Sequence, residues 1–469
     1  MDEPSKALSE ELGEFVASSA AVFTCGGAIP AIRTKAGRRS STGSAGSNST
    51  PSSDGATAPP VSLRWESEDG TGSNIHFPLR EQERGALDRL AGDGQPASFG
   101  HRGKSVLDPT YRSATAMDSS RFDTSLCPYR LGIIDRVTQV LLPNAAGVEP
   151  GNVESGSVVA ELYKLNIYQG PSDLFKAHVD TPRSETQFGS LVVCLPCPHA
   201  GGQLIVKHAG QEVEYDWSTP EQAPAALQWA AFYSDCEHEV RTVTNGHRVT
   251  LTYNLFYKPW AQDETRNLGH SPAPVYIERL PLYARVRQAL ENPEFMSDGG
   301  LLGIYCSHAY AYPTSVRVRI LDDDDENAVT ESFRRHLPTT LKGTDMALFA
   351  VFKQLGLKVT VKPIISDIDE IYEPENDLDR EPCMGEIPGM IVITSLGGND
   401  GDDARDILKE FGDRVSGVNW ITGPRWKDLA MFHLTYGNEP GVNAVYAYPA
   451  LMVDIPSAAE RAKANAKVA

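Results

Sequence analysis

A histidine and a carboxylate stand two residues apart in the segment FKAHVDTPR, at residues 175–183. The segment lies between two runs that are typical of strands, ELYKLNIY and FGSLVVCLP. On an extended backbone the side chains at positions i and i+2 point to the same face. His178 and Asp180 could therefore hold one metal ion between them, or they could be two polar residues of a solvated turn.

A third candidate ligand comes from the segment FYSDCEHEVRTVTNGHRVTLTYNL, at residues 232–255. Two strand-like runs flank TNGH and predict a hairpin. A three-residue loop Asn-Gly-His would put His238, Arg248 and Thr250 on one face, whereas a two-residue Asn-Gly turn would put Arg248 on the opposite face. His247 is the competing histidine, but the hairpin places it in the turn and so favours His238.

Two histidines and one carboxylate on one side of a metal form the facial triad of non-haem Fe(II) oxygenases. This triad leaves coordination positions open for a bidentate co-substrate and dioxygen. The guanidinium of an arginine nearby has the fork geometry to grip the far carboxylate of a dicarboxylic acid. Arg248, ten residues beyond His238, is the candidate for this role.

The elements that must position these residues change in type along the chain. The stretches FPLREQERGALDRLAG and LGIIDRVTQVLL predict helices, the second from an apolar stripe at helical spacing. From about residue 157 to 257, many short strand-like runs with glycine-rich turns predict a sandwich or jelly roll. Beyond about residue 258 the pattern is of mixed helices and strands.

The sequence thus predicts an α+β protein in five parts. They are an N-terminal segment packing on the core (1–33), a disordered Ser/Gly/Pro-rich linker (34–60), a catalytic domain (61–257), a C-terminal mixed α/β domain of unassigned role (258–456) and a flexible tail (457–469). The linker is assigned from its composition, because it has too few apolar residues to offset its ordering entropy.

Composition limits the partners and the compartment. With 43 basic and 62 acidic residues the formal charge is -19, which argues against nucleic acid or an anionic membrane as a partner. Seven cysteines are few for 469 residues and odd in number, which fits a reducing compartment. No basic and apolar leader and no run of 18 apolar residues occurs, so an intracellular location, cytoplasmic or nuclear, is expected.

Five segments occur in an order that resembles the catalytic domain of prolyl 4-hydroxylase-type 2-oxoglutarate/Fe(II) dioxygenases. They are NIYQG, FKAHVD, GGQL, HEVRTV and GHRVTLTYNL. The resemblance covers about residues 95–257, and the lead-in ASFGHRGKSVLDPTYR resembles that of a fungal-type branch. It implies a double-stranded β-helix, or jelly-roll, catalytic core with flanking helices, beside the second mixed α/β region.

The resemblance also implies a role for each matching residue. His178, Asp180 and His238 would bind Fe(II), Arg248 with Thr250 would hold the 5-carboxylate of 2-oxoglutarate, and Tyr168 would contact this co-substrate. No catalytic group beyond the metal ligands is expected. Arg183 is either a contact for a substrate carboxylate at the mouth of the site or an ordinary loop charge.

The implied activity is the hydroxylation of an unactivated C–H bond of a protein or peptide. Dioxygen and 2-oxoglutarate would be consumed, and ascorbate is a further candidate cofactor. One departure is Cys194, which stands where many prolyl hydroxylases carry a co-substrate-binding tyrosine. It weakens the case for prolyl substrates. A metabolite-tailoring oxygenase, a non-catalytic jelly-roll interaction protein and a zinc hydrolase with the same ligands stay open, although a hydrolase has no use for Arg248.

Overall fold

The computed structural model is mixed α+β, with most strands in antiparallel sheets. It describes residues 9–10, 12–14, 16, 22–32, 57–67, 69–101, 104–142, 156–180, 183–184, 186–218, 225–259, 277–313, 341–365, 383–385, 412–414, 418–422, 444–447 and 449–468. Its described helices are α1 (Arg84–Asp93), α2 (Ile133–Leu141), α3 (Pro281–Glu291), α4 (Gly343–Gln354) and α5 (Ala458–Val468). Short 3-10 turns lie at Glu81–Glu83, Ser119–Arg121 and Ile277–Arg279.

The described strands fall into an earlier and a later group. The earlier strands are β1 (Thr24–Pro30), β2 (Val61–Glu66), β3 (Gly72–Phe77), β4 (Gln95–Pro96), β5 (Phe99–His101), β6 (Lys104–Val106), β7 (Arg112–Ser113), β8 (Thr115–Asp118), β9 (Phe122–Thr124), β10 (Gly156–Gln169), β11 (Leu174–His178), β12 (Gln187–Cys194), β13 (His199–Gly201), β14 (Leu204–His208), β15 (Gln211–Tyr215), β16 (Ala226–Tyr233), β17 (Glu237–Val240) and β18 (Val243–Pro259). The later strands are β19 (Gly300–Tyr305), β20 (Tyr310–Pro313), β21 (Lys358–Ile365), β22 (Cys383–Gly385), β23 (Gly412–Arg414), β24 (Val418–Trp420), β25 (Ala444–Ala447) and β26 (Pro449–Ile455).

Helix α2 forms where the apolar stripe predicts it. Ile133, Ile134, Val137 and Leu141 are buried, because residues three and four apart lie on one helix face. Val140, the remaining member of the predicted stripe, is 39% exposed. The helix therefore turns a narrower apolar face to the core than the sequence predicts.

Two antiparallel sheets enclose the predicted metal ligands. The first has the order β1-β16-β12-β18-β10-β8-β4, with β13 pairing to β18, and the second has the order β15-β14-β17-β11-β7. Between β10 and β18 the chain passes repeatedly from one sheet to the other. One hydrophobic cluster contains residues of both sheets, among them Leu191 and Phe232 of the first and Phe175 and Leu204 of the second. The sheets thus share a single core.

The predicted hairpin at TNGH is wrong. Strand β18 runs unbroken through this segment, and its beginning pairs with β10 and β13. Strand β17 belongs to the other sheet, where it pairs with β11 and β14. Gly246 has φ +73°, and a Cβ there would lie 2.3 Å from the carbonyl oxygen of Pro198. Gly246 therefore does not form a hairpin turn; the absence of a side chain there permits the close approach of β13.

A second hydrophobic cluster forms in the later part of the chain. It contains residues of α3, α4, β19, β21 and β26, together with Leu12 and Val16. The later sheet has the order β23-β22-β21-β26-β19-β24, with β19 and β24 parallel. Residues before position 33 contribute to both clusters, since β1 pairs with β16. The domain boundaries stay a prediction.

Two segments predicted to be flexible need separate comment. Most of the linker at 34–60 lies outside the described residues, but near its end Ala58 is fully buried and pairs with Ala31. Most of the predicted flexible tail, 457–469, instead forms helix α5. Arg461 anchors this helix by donating to the carbonyl oxygens of Leu290 (2.9 Å) and Phe295 (2.7 Å). Within the described part of the chain, no helix has the length and apolar character needed to cross a membrane.

The two clusters meet at a buried ion pair. Asp235, in the turn between β16 and β17, accepts hydrogen bonds from Lys342 Nζ at 2.6 Å and from His308 Nδ1 at 3.0 Å. The side chains of Lys342 and Asp235 are 3% and 2% exposed. Burial alone would raise the pKa of Asp235, but the charges of Lys342 and His308 hold it well below its usual value.

We predict that Lys342→Met destabilises the protein by about 3–5 kcal/mol, because it leaves the Asp235 carboxylate buried without its cation. The free energy of unfolding is measured by denaturant titration. The matched control is Lys358→Met, since Lys358 and its partner Asp454 are 76% and 53% exposed. The control should change stability by no more than about 1 kcal/mol. Equal losses in the two variants would contradict the prediction.

The same pair predicts a pH dependence. A carboxyl whose pKa is lowered by folding stabilises the folded state above its unfolded pKa of about 3.9, and this contribution is lost as the pH falls through the folded value. The stability difference between the wild type and Asp235→Asn should therefore be constant from neutral pH down to about 4 and shrink below it. A difference that does not change between pH 5 and pH 3 would argue against an ionised Asp235.

Candidate metal centre

The three predicted metal ligands lie together between the sheets. His178 and His238 are directly opposite each other on β11 and β17, so their side chains share a face, and their ring centroids are 4.2 Å apart. Asp180 follows β11, and its Oδ1 lies 3.7 Å from Nε2 of His238. One donor atom from each residue lies within 4.8 Å of the others. That they bind a metal remains a prediction.

Both imidazole rings are oriented by backbone carbonyl groups. Nδ1 of His178 lies 2.8 Å from the carbonyl oxygen of Lys176, and Nδ1 of His238 lies 3.1 Å from that of Cys236. A carbonyl oxygen only accepts, so each Nδ1 carries the proton and each Nε2 keeps its lone pair. Such a bond fixes the tautomer and the ring direction of a metal-ligating histidine.

The protonation state of His178 suits a ligand. Burial, and then the nearby His238, hold the pKa of His178 well below its ordinary value. The ring also stacks on Phe175, with centroids 3.5 Å apart. His178 is therefore neutral at physiological pH, and its Nε2 is available to a cation.

Ser190 supports the third ligand. Its hydroxyl donates to Oδ2 of Asp180 at 2.5 Å, which leaves Oδ1 facing His238. Ser190 is 1% exposed and lies on β12. Its contact with Asp180 is not predicted from the sequence. The only signal for it is a hydroxyl within the otherwise apolar strand FGSLVVC, since its contact with Asp180 depends on the packing of one sheet on the other.

Arg248 is buried on β18 without a full set of partners. It is 1% exposed, and its Nε and Nη2 have no hydrogen-bond acceptor among the residues that the structure describes. Directly opposite on β10 is Tyr168, whose ring centroid is 5.4 Å from the guanidinium carbon, and Trp217 lies at 5.2 Å. The guanidinium thus lies near two aromatic rings, and its Nε and Nη2 remain available to an acceptor.

Gly202 in the segment GGQL makes room for this arginine. Its φ is +73°, and a Cβ at this position would lie 2.8 Å from Cδ of Arg248. Any larger residue at this position would strain the backbone, and its side chain would clash with the aliphatic part of Arg248. The glycine therefore belongs to the packing of the site.

Thr250 and Cys194 continue the wall on which Arg248 lies. They are paired across β18 and β12, so both point to the face that carries Arg248, two residues away. Thr250 is 2% exposed, and its hydroxyl donates to the carbonyl oxygen of Asn166 at 3.5 Å. Burial raises the pKa of Cys194 to about 11, so this residue presents a neutral thiol at neutral pH.

A second group of possible metal donors contains His208, Asp235 and His308. Its geometry does not suit an ion. The two imidazole rings stack with centroids 4.0 Å apart and an angle of 11°, so their lone pairs lie in two nearly parallel planes and cannot both point at an ion between the rings. In addition, Lys342 brings a positive charge to 2.6 Å from Oδ1 of Asp235. We interpret this group as a set of structural residues that stabilises the contact between the two hydrophobic clusters.

No protein-family model matches this chain, and no curated protein sequence matches it. Solved structures that resemble it include a Pseudomonas putida prolyl-4-hydroxylase, at 19% identity and TM-score 0.24, over 38% of this chain and 85% of that one. An oxidoreductase of the 2OG-Fe(II) oxygenase family from Burkholderia pseudomallei has 16% identity and TM-score 0.22, over 40% of this chain and 84% of the other. A Trichoplax adhaerens prolyl hydroxylase, solved with a hypoxia inducible factor peptide, has 16% identity and TM-score 0.24, over 37% and 75%. Likenesses at this level carry no argument about activity.

We predict that His238→Ala abolishes stoichiometric binding of Fe(II), or of Co(II) as its air-stable substitute, because a single histidine and a carboxylate remain. Metal content after dialysis is measured by elemental analysis. His247→Gln, the competing histidine, serves as the matched control and should retain one ion per chain. The opposite pattern, loss in the control and retention in His238→Ala, would show that the wrong histidine was assigned.

Ser190→Ala should weaken metal binding by roughly 10–100-fold without unfolding the protein, because it removes the hydrogen bond that orients Asp180. The dissociation constant for Co(II) is measured by titration, and folding is checked by circular dichroism. Ser234→Ala provides a control at another fully buried serine. An unchanged affinity in Ser190→Ala would mean that Asp180 does not depend on this hydroxyl.

Proposed function

We propose that this protein is a 2-oxoglutarate- and Fe(II)-dependent dioxygenase, similar to prolyl 4-hydroxylases, that hydroxylates an unactivated C–H bond of a protein or peptide. The observation that carries the proposal is Arg248. Nε and Nη2 of this buried guanidinium have no acceptor among the described residues, and the face of β18 that carries Arg248 continues to Asn254, which pairs with the Ser190 that contacts Asp180. A dicarboxylate co-substrate accounts for both features at once.

The strand topology supports a double-stranded β-helix as the fold of the proposed catalytic core. Strands β10, β11, β12, β14, β15, β16, β17 and β18 supply eight strands, four in each sheet. In this arrangement the terminal strands β10 and β18 are neighbours, as are β11 and β17. Metal sites of such folds lie inside the roll, and His178 and His238 are paired on adjacent strands of the second sheet with their side chains on one face.

Iron fits the donor set. His178 and His238 would each offer a neutral Nε2 and Asp180 its Oδ1, which is the two-histidine, one-carboxylate set of non-haem Fe(II) oxygenases. When bound, iron and 2-oxoglutarate supply the oxidation of a C–H bond by dioxygen, with 2-oxoglutarate released as succinate and carbon dioxide. The protein contributes ligand orientation through the carbonyls of Lys176 and Cys236 and through Ser190.

The 5-carboxylate of 2-oxoglutarate would bind to Arg248. A buried donor without an acceptor costs about 1–3 kcal/mol, and more when it is charged. A carboxylate that accepts from Nε and Nη2 removes this cost and forms a bidentate, charge-assisted pair. Thr250 and Tyr168 line the same wall, and Cys194 offers a smaller group where a tyrosine would otherwise reach the co-substrate. Ascorbate would act as an external reductant.

The alternatives differ in how they use these residues. A zinc hydrolase could share the three ligands but would leave the guanidinium without an acceptor. A non-catalytic scaffold would need neither the ligands nor Arg248. A metabolite-tailoring oxygenase would use every residue of the proposed site and would differ only in its substrate. A substrate assay, and not the site residues, distinguishes it from a protein hydroxylase.

Arg248→Met should reduce the affinity for 2-oxoglutarate by roughly 100-fold or more, because it removes two hydrogen bonds to a charged group. Binding is measured on Co(II)-loaded protein by calorimetry, and succinate formation is measured on the Fe(II) form with a cell extract as the source of substrate. Arg241→Met is the matched control, since Arg241 lies on the surface beside Glu214. It should leave both quantities unchanged.

Two results would overturn the proposed function. One is a wild-type protein that binds metal but does not bind 2-oxoglutarate at millimolar concentration. The other is 2-oxoglutarate binding that survives in Arg248→Met. Zinc-dependent hydrolysis of ester or amide probes by the wild type, without succinate formation, would instead favour the hydrolase.

A further inference from the structure

Arg112 is a buried cation on the same face of the second sheet as the two candidate histidine ligands. It lies on β7, at the edge of this sheet, directly opposite Phe175 of β11. A bulge in β11 follows, so that Phe175 pairs with Val240 and His178 pairs with His238, two residues away on β17. Because paired residues share a face, the register places Arg112 on the face that carries both histidines.

One aromatic ring contacts both this cation and a candidate ligand. The guanidinium carbon of Arg112 lies 4.3 Å from the ring centroid of Phe175, and His178 stacks on the same ring with centroids 3.5 Å apart. Burial first, and then His238, lower the pKa of His178, and the charge of Arg112 acts in the same direction. The charge of Arg112 therefore acts on the candidate metal centre.

No acid neutralises Arg112 by a hydrogen bond. Its Nη1 donates to the carbonyl oxygen of Ser98 at 2.6 Å, and its Nη2 donates to Oδ1 of Asn166 at 3.0 Å. Its Nε has no acceptor in the described part of the chain, so none of the three nitrogens binds a carboxylate there. Arg112 is 8% exposed, and bulk water therefore screens its charge only weakly.

Arg183, the candidate contact for a substrate carboxylate, differs from Arg112 in its exposure. It is exposed, and its guanidinium carbon lies 4.1 Å from the ring centroid of Tyr163. Its role toward a substrate stays a prediction. Water and ions screen an exposed charge, whereas a buried charge acts over a longer distance. Of these two arginines, Arg112 is the one from which an electrostatic effect on a bound metal is expected.

A purely structural link at this position does not require a charge. A neutral side chain such as Gln could donate to the same oxygens without the desolvation cost of a buried cation. A fixed positive charge near a metal ion has a definite effect, because it opposes the oxidation state of higher charge. For iron, it favours Fe(II) over Fe(III), and Fe(II) is the state that the proposed dioxygenase requires.

We propose that the buried charge of Arg112 keeps the iron of the proposed dioxygenase in its ferrous state. In this role Arg112 is a positioning residue that acts on the iron through Phe175, His178 and the field of its charge. The reaction that it suppresses is the loss of one electron from Fe(II) to dioxygen, which gives Fe(III) and superoxide and leaves the C–H substrate unchanged. This inference rests on the proposed function, because it requires iron at the candidate ligands.

The test is the midpoint potential of the Fe(III)/Fe(II) couple in the full-length protein. It is measured by titration with mediator dyes, which accept the one electron that Fe(II) loses. Arg112→Gln removes the charge and should lower the potential. For unit charges on the order of 10 Å apart at an effective dielectric constant of about 20, Coulomb's law gives roughly a tenfold rise in the ferric-to-ferrous ratio, which is about 59 mV. Arg112→Lys keeps the charge and should retain most of the wild-type potential at mildly acidic pH, where a buried lysine stays protonated.

Asn166→Asp provides a second test that leaves Arg112 in place. The new carboxylate would stand where Oδ1 of Asn166 accepts from Nη2 at 3.0 Å, and it would neutralise the guanidinium. Thr252, which accepts from Nδ2 of Asn166, has a hydroxyl that can donate to the carboxylate instead. This variant should lower the potential about as far as Arg112→Gln does. Arg241→Gln, which removes a surface charge beside Glu214, is the matched control and should leave the potential unchanged.

Cobalt binding separates the electrostatic role from a structural one. If Arg112 only held Phe175 and His178 in place, Arg112→Gln would weaken Co(II) binding and change the visible absorption spectrum of the bound ion, which reports the geometry of its ligands. The electrostatic role predicts an unchanged spectrum. It also predicts a Co(II) affinity equal to or higher than that of the wild type, because a positive charge near the cation is removed.

Metal content and 2-oxoglutarate affinity of the wild type are measured first. If both are normal, three results would overturn this inference while leaving the proposed oxygenase intact: an unchanged potential in Asn166→Asp, equal losses of potential in Arg112→Gln and Arg112→Lys, or weakened Co(II) binding in Arg112→Gln. If Arg112→Gln does not fold, Asn166→Asp decides the question alone. A wild type that binds neither Fe(II) nor Co(II) would overturn the proposed function, and this inference with it.

Discussion

Polar groups that are buried between two sheets must find partners, and this constraint organises the interior of the protein. A hydrogen-bond donor without an acceptor costs free energy, and a charged one costs more. Several polar side chains between the sheets hydrogen-bond to one another. Ser190 donates to Asp180, and Asn166 accepts from Arg112 and donates to Thr252. Arg248, Arg112 and Tyr163 retain buried atoms without partners among the described residues. Under the proposed function, a bound dicarboxylate would supply acceptors for the two Arg248 nitrogens.

The strand register explains why these atoms share one chamber. On β12 and β18 three successive pairs face inward, namely Ser190 with Asn254, Val192 with Thr252 and Cys194 with Thr250. One end of this row supports Asp180, and the other leads to Arg248. On the next strand, Asn166 and Lys164 pair with Thr250 and Thr252, so both lie beside the same row. A shift of one residue in any of these pairings would turn these groups out of the chamber.

The sequence predicts which three side chains lie together better than it predicts the elements that hold them. The two-residue step from His178 to Asp180 depends only on local geometry, and the structure brings these two side chains together at the end of β11. The hairpin expected to join His238 to Arg248 does not exist, because this segment pairs with β13 and β10, which lie more than 40 and more than 70 residues away in the sequence. Ser190 and Arg112 were missed for the same reason. Their contacts depend on which sheet packs on which, and no local pattern encodes that.

The later part of the chain acts on the same site through the turn between β16 and β17. Cys236 in this turn supplies the carbonyl that orients His238, and the adjacent Asp235 is held by Lys342 and His308. Tyr233, at the end of β16, accepts a hydrogen bond from the backbone N–H of Gly343 at 2.8 Å and donates one to the carbonyl of Leu141. Because buried hydrogen bonds to charged groups restrict the backbone that carries them, the second cluster fixes a turn three residues from His238, a candidate metal ligand. The precision of the candidate metal centre is therefore a property of both hydrophobic clusters.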